Sequence, residues 1–200
     1  MTTGSGTKQF TQLESTEAYK AFYEEQGHHC GNHHLTEDFP RARFILDRVR
    51  KTDKVLEMGC QTGGITRLIA PHVEVVVANE LSDSYRARAA EVLAGIENVE
   101  MIDGFAESLP GRLHGHWFDV VVAMELLEHV PDPEALCEAA AYCVARSGKA
   151  LFSVPKGFSD ALGEHVREFT MVSFGEMLKK HFTQVEIVDA GEWYLAEARV

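Results

Sequence analysis

Three short stretches of this chain concentrate residue types that do chemistry. The first is the run VLEMGCQTGG, where an apolar segment carrying Glu57 gives way to Gly59, Gly63 and Gly64. Glycines at a strand-to-helix turn let a ligand approach the backbone, and the free N–H groups of a helix start favour anionic groups. The second is Glu80, 23 residues beyond Glu57, about the separation at which a carboxylate reaches ribose hydroxyls in nucleotide-binding α/β folds. Turn and carboxylate together point to an adenosine-type ligand. Read as the dinucleotide fingerprint G-x-G-x-x-G, the glycine that admits the pyrophosphate would be Gln61, which counts against a nicotinamide dinucleotide. Glu80 also has a purely structural reading, as the acidic start of a helix beginning at Ser82.

The third stretch is ELLEH, with Glu125, Glu128 and His129, followed later by His165 in HVREFT. On a helix the first three stand at i, i+3 and i+4 and share one face. Two carboxylates with one or two imidazoles suit a divalent ion that orients and acidifies a hydroxyl. Without a metal, His129 or His165 is a candidate general base, because an imidazole titrates near neutrality. Such clusters also occur as structural polar networks. The run HHCGNHH adds His28, His29, Cys30, His33 and His34. Cys30 and His33 have the spacing of two zinc ligands, yet a closed zinc site needs four, so the segment reads equally as a loop that folds over a site. Neither a G-x-S-x-G elbow nor a G-x-x-x-x-G-K-[ST] phosphate loop is present.

These residues need elements to hold them. Helical patterns cover Ser15–Gln26 and Asp38–Arg50, the second with Phe39, Ala42, Ile45 and Val49 near helical spacing. Strands are expected at Lys54–Met58, Glu74–Ala78, Val99–Ile102, Phe118–Ala123 and Lys149–Val154, and helices at Thr62–Ala70, Ser82–Ala94 and Asp132–Val144. Strand and helix alternate as in parallel sheets with crossover helices. The runs Thr183–Val188 and Glu192–Val200 are separated by too few residues for a crossover and must pair antiparallel. Ligands of such sheets bind at the carboxyl ends of the strands, where strand order reverses.

Composition sets the outer bounds. Two hundred residues, 45% of them apolar, fit one globular domain. Nineteen basic against 31 acidic residues give a net charge of −12, which repels nucleic acid and anionic membranes alike. Four scattered cysteines without a CxxC pair read as reduced thiols, and no apolar run approaches a membrane span. A soluble, cytoplasmic protein is expected.

The order of these motifs resembles the class I S-adenosylmethionine-dependent methyltransferase family. Its motif I, acidic-x-Gly-x-Gly-x-Gly, matches Glu57, Gly59 and Gly63, with Gln61 at the middle glycine, and its second-strand acid matches Glu80. The stretch MIDGFAESLP is similar to the adenine-binding segment, with Phe105 where an Asp usually precedes Ala106 and Asp103 as the candidate substitute. FDVVVAMELLEHVPDP is similar to the fourth-strand motif, and RSGKALFSVP to the lead into strand five. The resemblance spans about Leu46 to Val200. It implies a Rossmann-like α/β fold: a seven-stranded, mostly parallel sheet with helices on both faces and an antiparallel C-terminal hairpin. It also implies S-adenosylmethionine held by Glu57, Gly59, Cys60, Gln61 and Gly63 at the turn, by Glu80 at the ribose, by Asp103, Phe105 and Ala106 around the adenine, and by Leu81 and Met124.

Within the family, the Glu/His set is similar to ubiquinone-biosynthesis O-methyltransferases and to small-RNA 2′-O-methyltransferases, in which such residues hold a metal. That implies Glu125, Glu128, His129 and His165 as ligands of a divalent cation such as Mg, and His129, His165 and Glu125 as catalytic residues. Residues 1–50 are expected to form a flexible start and helical substrate lid, and residues 51–200 the cofactor-binding domain, as one structural unit. The expected activity is methyl transfer to a small-molecule acceptor, at a hydroxyl oxygen. RNA 2′-O-methylation, which the acidic charge opposes, and a non-catalytic cofactor-binding partner subunit are the alternatives.

Overall fold

The structure, a computed structural model, describes residues 20, 21, 24, 35–113, 117–157 and 165–200. The histidine-rich segment His28–His34 lies outside the described residues, as does most of the expected Ser15–Gln26 helix. The first long described element is helix α1, Pro40–Leu46. It is shorter than the expected Asp38–Arg50, with Pro40 fixing its first turn and Asp47 closing its last.

Seven strands form one sheet: β1 Lys54–Met58, β2 Val75–Glu80, β3 Val99–Asp103, β4 Phe118–Met124, β5 Val144–Pro155, β6 Gln184–Asp189 and β7 Trp193–Arg199. Their order is β3-β2-β1-β4-β5-β7-β6, with the first five parallel and β7 antiparallel to both β5 and β6. The strand order thus reverses between β1 and β4, which leaves a crevice above their carboxyl ends. β1 sits at the centre, and Val55 through Met58 are all buried, as a strand covered on both faces requires.

Helices α2 Gly64–Ile69, α3 Asp83–Val92, α4 Leu109–Leu113, α5 Pro133–Cys143 and α6 Met171–Leu178 connect the strands. Alternate strand residues divide the core into two layers. Leu56, Met58, Val121 and Ala123 pack toward α5 and α6, while Val55, Val76, Ala78 and Val122 pack toward α1 and α2. The last two strands form the expected hairpin. β5 begins five residues earlier than expected, because the chain bulges between the pairs Phe118↔Val144 and Val120↔Lys149. Gly148 permits that bulge: a Cβ there would lie 2.8 Å from the Asp119 carbonyl oxygen.

The helical condition for the ELLEH run is not met. Residues 125–131 form a turn rather than a helix, so Glu125, Glu128 and His129 do not share a helical face. The cause lies at Glu125, whose φ of +50° leaves the right-handed region immediately after β4. Among the described residues Cys60, Cys137 and Cys143 are buried free thiols, and no helix is long and apolar enough to cross a membrane.

Candidate active site

The turn after β1 is built by backbone conformation. Gly59, Gln61 and Gly63 have φ values of +72°, +52° and +77°. At Gly59 a Cβ would come within 2.9 Å of the Leu126 side chain, so glycine there is required by conformation and by space. Gln61 shows that the departure from the glycine motif is tolerated by the backbone, at the strain of a left-handed non-glycine residue. The Cys60 N–H donates to the Asn79 carbonyl (2.8 Å) and the Gly63 N–H to the Cys60 carbonyl (2.9 Å), tying the turn to β2 and to itself.

Beneath the turn, the buried Glu57 carboxylate accepts the Thr66 hydroxyl at 2.6 Å. Burial, against that hydrogen bond, pushes its carboxyl up to about 7. Glu80 ends β2 and is 1% exposed. Its Oε2 accepts the Gln61 N–H at 2.9 Å, and its Oε1 accepts the Ser82 N–H at 2.8 Å. Burial raises this carboxyl too, with the backbone donors opposing the shift. Glu80 therefore staples the glycine turn to the start of α3. The helix cap itself is Ser82, whose hydroxyl accepts the Tyr85 N–H, and Glu24 from the N-terminal region accepts the Ser82 and Ser84 hydroxyls at 2.9 and 2.8 Å.

A narrow cleft opens beside Gly59, Glu80, Leu81, Phe105, Ala106 and His129. All six belong to the expected cofactor or catalytic sets. Asp103 does not join them. It pairs at 2.6 Å with Arg112 on the exposed side of β3, and that guanidinium holds its carboxyl below the usual range. The acidic residue of this segment that lines the cleft is Glu107, whose carboxyl burial pushes up. Its position two residues beyond Phe105 was the available sequence signal. Asn79 and Leu126 also line the cleft. Cys60, Gly63 and Met124 are buried around the turn or below it and are absent from the lining.

The polar cluster adjoins the cleft. Glu128, His129 and His165 each present a ligand-type atom, and all three atoms lie within 4.8 Å of one another. The His129 and His165 rings meet edge to face with centroids 4.8 Å apart. His165 is brought there by a clamp that sequence reading missed: the Val166 N–H donates to the Glu128 carbonyl at 2.9 Å, and Arg167 donates to the carbonyls of Leu127 (2.7 Å), Val130 and Pro131 (2.8 Å). Leu127 and Val130 anchor the same turn in the core.

Glu125 is not part of this cluster. Its Oε1 accepts the Ser153 hydroxyl at 2.7 Å, its Oε2 accepts the Trp193 N–H at 2.8 Å, and its own N–H donates to Ser153. Burial raises its carboxyl, and the nearby Arg41 guanidinium opposes that shift. Arg41, on α1, stands 3.7 Å from Glu125 Oε2 and over the Trp193 ring at 5.1 Å, with its Nε buried and unpartnered. Nothing in the run PRAR distinguished Arg41 from a surface arginine. Glu128 is fully buried, and neither of its oxygens accepts a hydrogen bond from the described residues. Burial, reinforced by the Glu125 carboxylate, pushes its carboxyl well above the ordinary range.

Comparison with known proteins bears on this site. A profile described as "Methyltransferase domain" matches residues 32–192. The chain is 32% identical over 119 residues to the ubiquinone biosynthesis O-methyltransferase of Azotobacter vinelandii, covering 56% of this chain and 49% of that protein. It spans about half the length of the curated relatives it matches. Among solved structures, a DhpI–SAM–HEP complex superposes with a TM-score of 0.74 at 19% identity, covering 100% of both chains. The N-terminal domain of EvdMO1 with SAH bound superposes with a TM-score of 0.63 at 22% identity, covering 80% of this chain and 79% of that one. At these identities the two structures establish the fold.

Proposed function

Because the chain belongs to the class I S-adenosylmethionine-dependent methyltransferase family, we propose that it moves the methyl group of S-adenosylmethionine to a hydroxyl oxygen of a small molecule. The observation that carries this reading is that His129 lines the cleft beside the glycine turn and also belongs to the Glu128–His129–His165 cluster. Donor site and acceptor chemistry meet at one side chain.

The cleft fits the donor. Gly59 leaves the space that a side chain would fill, Phe105 offers an aromatic face for the adenine, and Glu80 stands where ribose hydroxyls would be received. Glu107 is placed to accept from the adenine amine.

When bound, S-adenosylmethionine supplies an electrophilic methyl on a cationic sulfur. The protein's part is positional: holding the acceptor in line contributes as much as about 7–11 kcal/mol when orientation is ideal. His129 or His165 takes the acceptor's proton, each within reach of the other. The Glu128–His129–His165 set also fits a divalent cation, since a buried carboxylate without a hydrogen bond is what a missing positive partner leaves. Such an ion would orient and acidify the acceptor hydroxyl.

The test is incubation with radiolabelled S-adenosylmethionine and a panel of catechols, phenols and aliphatic alcohols, with thiols, amines and a short RNA as controls. Label on a hydroxyl of a small molecule supports the reading. Label only on RNA, or only on nitrogen or sulfur, overturns the acceptor assignment.

A further inference from the structure

The Arg41 guanidinium makes no hydrogen bond to the described residues. Its side chain is only 17% exposed, its Nε is buried and unpartnered, and its one ionic contact, to Glu125 Oε2, is long at 3.7 Å. Glu125 does not depend on that contact, because its two oxygens already accept from Ser153 and Trp193. A guanidinium carries five N–H donors and a fixed charge, so burying one without hydrogen bonds is costly unless a ligand completes it. Resting on the methyltransferase reading, we infer that Arg41 recognises the acceptor, and that the acceptor carries an oxyanion group, a carboxylate or a phosphate, besides the atom that is methylated.

The surroundings of Arg41 prepare it for such a group. Its guanidinium carbon stands 5.1 Å from the centre of the Trp193 ring, and Phe39 tilts against the same ring with centroids 6.4 Å apart. Stacking fixes the guanidinium plane and leaves its N–H groups directed along that plane, the geometry that receives an oxyanion through two parallel bonds. Glu125 directly follows β4, and Trp193 pairs with Pro155 at the end of β5. The guanidinium therefore lies at the carboxyl ends of β4 and β5, beside the switch point between β1 and β4. Its charge also reaches Glu128 in the His129–His165 cluster, where it opposes the upward shift of that carboxyl. A net charge of −12 repels anions from the molecule as a whole. An anionic acceptor consequently requires a local, sheltered cation, and Arg41 is one.

The experiment uses the full chain and matched compounds built on a catechol, a phenol and an aliphatic alcohol, each offered as a carboxylic acid, a phosphate monoester and an uncharged primary amide. Binding is followed by calorimetry with and without saturating S-adenosylhomocysteine, and methyl transfer with radiolabelled S-adenosylmethionine. On at least one scaffold the acid or the phosphate should bind at least about ten-fold tighter than the amide, and the tighter of the two identifies the group. Arg41→Gln should cut that preference to within about two-fold, through KM rather than kcat, while Arg41→Lys, which keeps the charge and loses the planar fork, should retain part of it. Unchanged S-adenosylhomocysteine affinity in both variants shows that they are folded. Amides that bind as tightly as the anions, a preference that survives Arg41→Gln, or no anionic compound bound at millimolar concentration overturns the inference. An Arg41-dependent preference in a chain that neither binds S-adenosylhomocysteine nor transfers a methyl group would leave the anion site standing and overturn the methyltransferase reading.

Discussion

The indole N–H of Trp193 donates to Glu125 Oε2 at 2.8 Å, and this bond holds Glu125 away from Glu128, His129 and His165. Two residues 68 positions apart are thereby joined at the end of β4. Trp193 opens β7 opposite Pro155 at the end of β5, so the antiparallel hairpin, remote from the glycine turn in sequence, shapes the site.

Replacing Trp193 with Phe removes that donor from a buried carboxylate that keeps only Ser153 as a hydrogen-bond partner. Urea unfolding should show a loss of about 1–3 kcal/mol, the usual result of leaving a buried acceptor short. A midpoint identical to the wild type would show that the bond carries no weight.

Glu57 makes stability depend on pH with a definite sign. Its carboxyl ionises at about 7 in the folded chain and near the ordinary 4.5 when unfolded. Between those values the folded chain keeps a proton that the unfolded chain has lost, so this residue lowers stability as pH rises, by about 3 kcal/mol across the window. Glu57→Gln should gain relative to the wild type from pH 5 to pH 7.5, measured by chemical denaturation at each pH. Parallel curves for the two proteins would refute the assignment.

The glycine turn gives a contrasting pair. Gly59→Ala meets both a positive φ and the Leu126 side chain at 2.9 Å, and should cost about 1–3 kcal/mol. Gln61→Gly relieves a left-handed non-glycine residue and should be neutral or stabilising by up to about 1 kcal/mol. Thermal unfolding of both checks the order; a destabilised Gln61→Gly would mean that the Gln61 side chain supports the turn.

At the adenine end, Glu107→Ala should weaken S-adenosylhomocysteine binding by roughly ten-fold, about the worth of one hydrogen bond to a charged group. Asp103→Ala should leave it unchanged, because Asp103 faces Arg112 outside the cleft. Isothermal titration of the two variants distinguishes them, and the opposite ranking would restore Asp103.

Much of the fold was legible because parallel strands buried on both faces are short apolar runs and the crossover helices between them are punctuated by caps such as Ser82 and Asp132. The glycine turn and Glu80 were legible for the same local reason. What escaped were relationships set by long-range packing. The ELLEH spacing suits a helix, yet the Ser153 and Trp193 contacts accompany a left-handed Glu125, and the shared helical face disappears. Arg41 has no sequence signal, since only its position over Trp193 marks it. Asp103 and Glu107 both flank Phe105, and only Arg112, reaching back from α4, reveals which one faces out.

If the cleft beside the glycine turn and Glu80 receives S-adenosylmethionine, calorimetric titration of S-adenosylhomocysteine into the wild type and Glu80→Gln will show it. One molecule per chain should bind the wild type, with affinity at least about ten-fold weaker in Glu80→Gln. Equal affinity in both proteins, or no binding to the wild type under conditions where NADH binds, would contradict it.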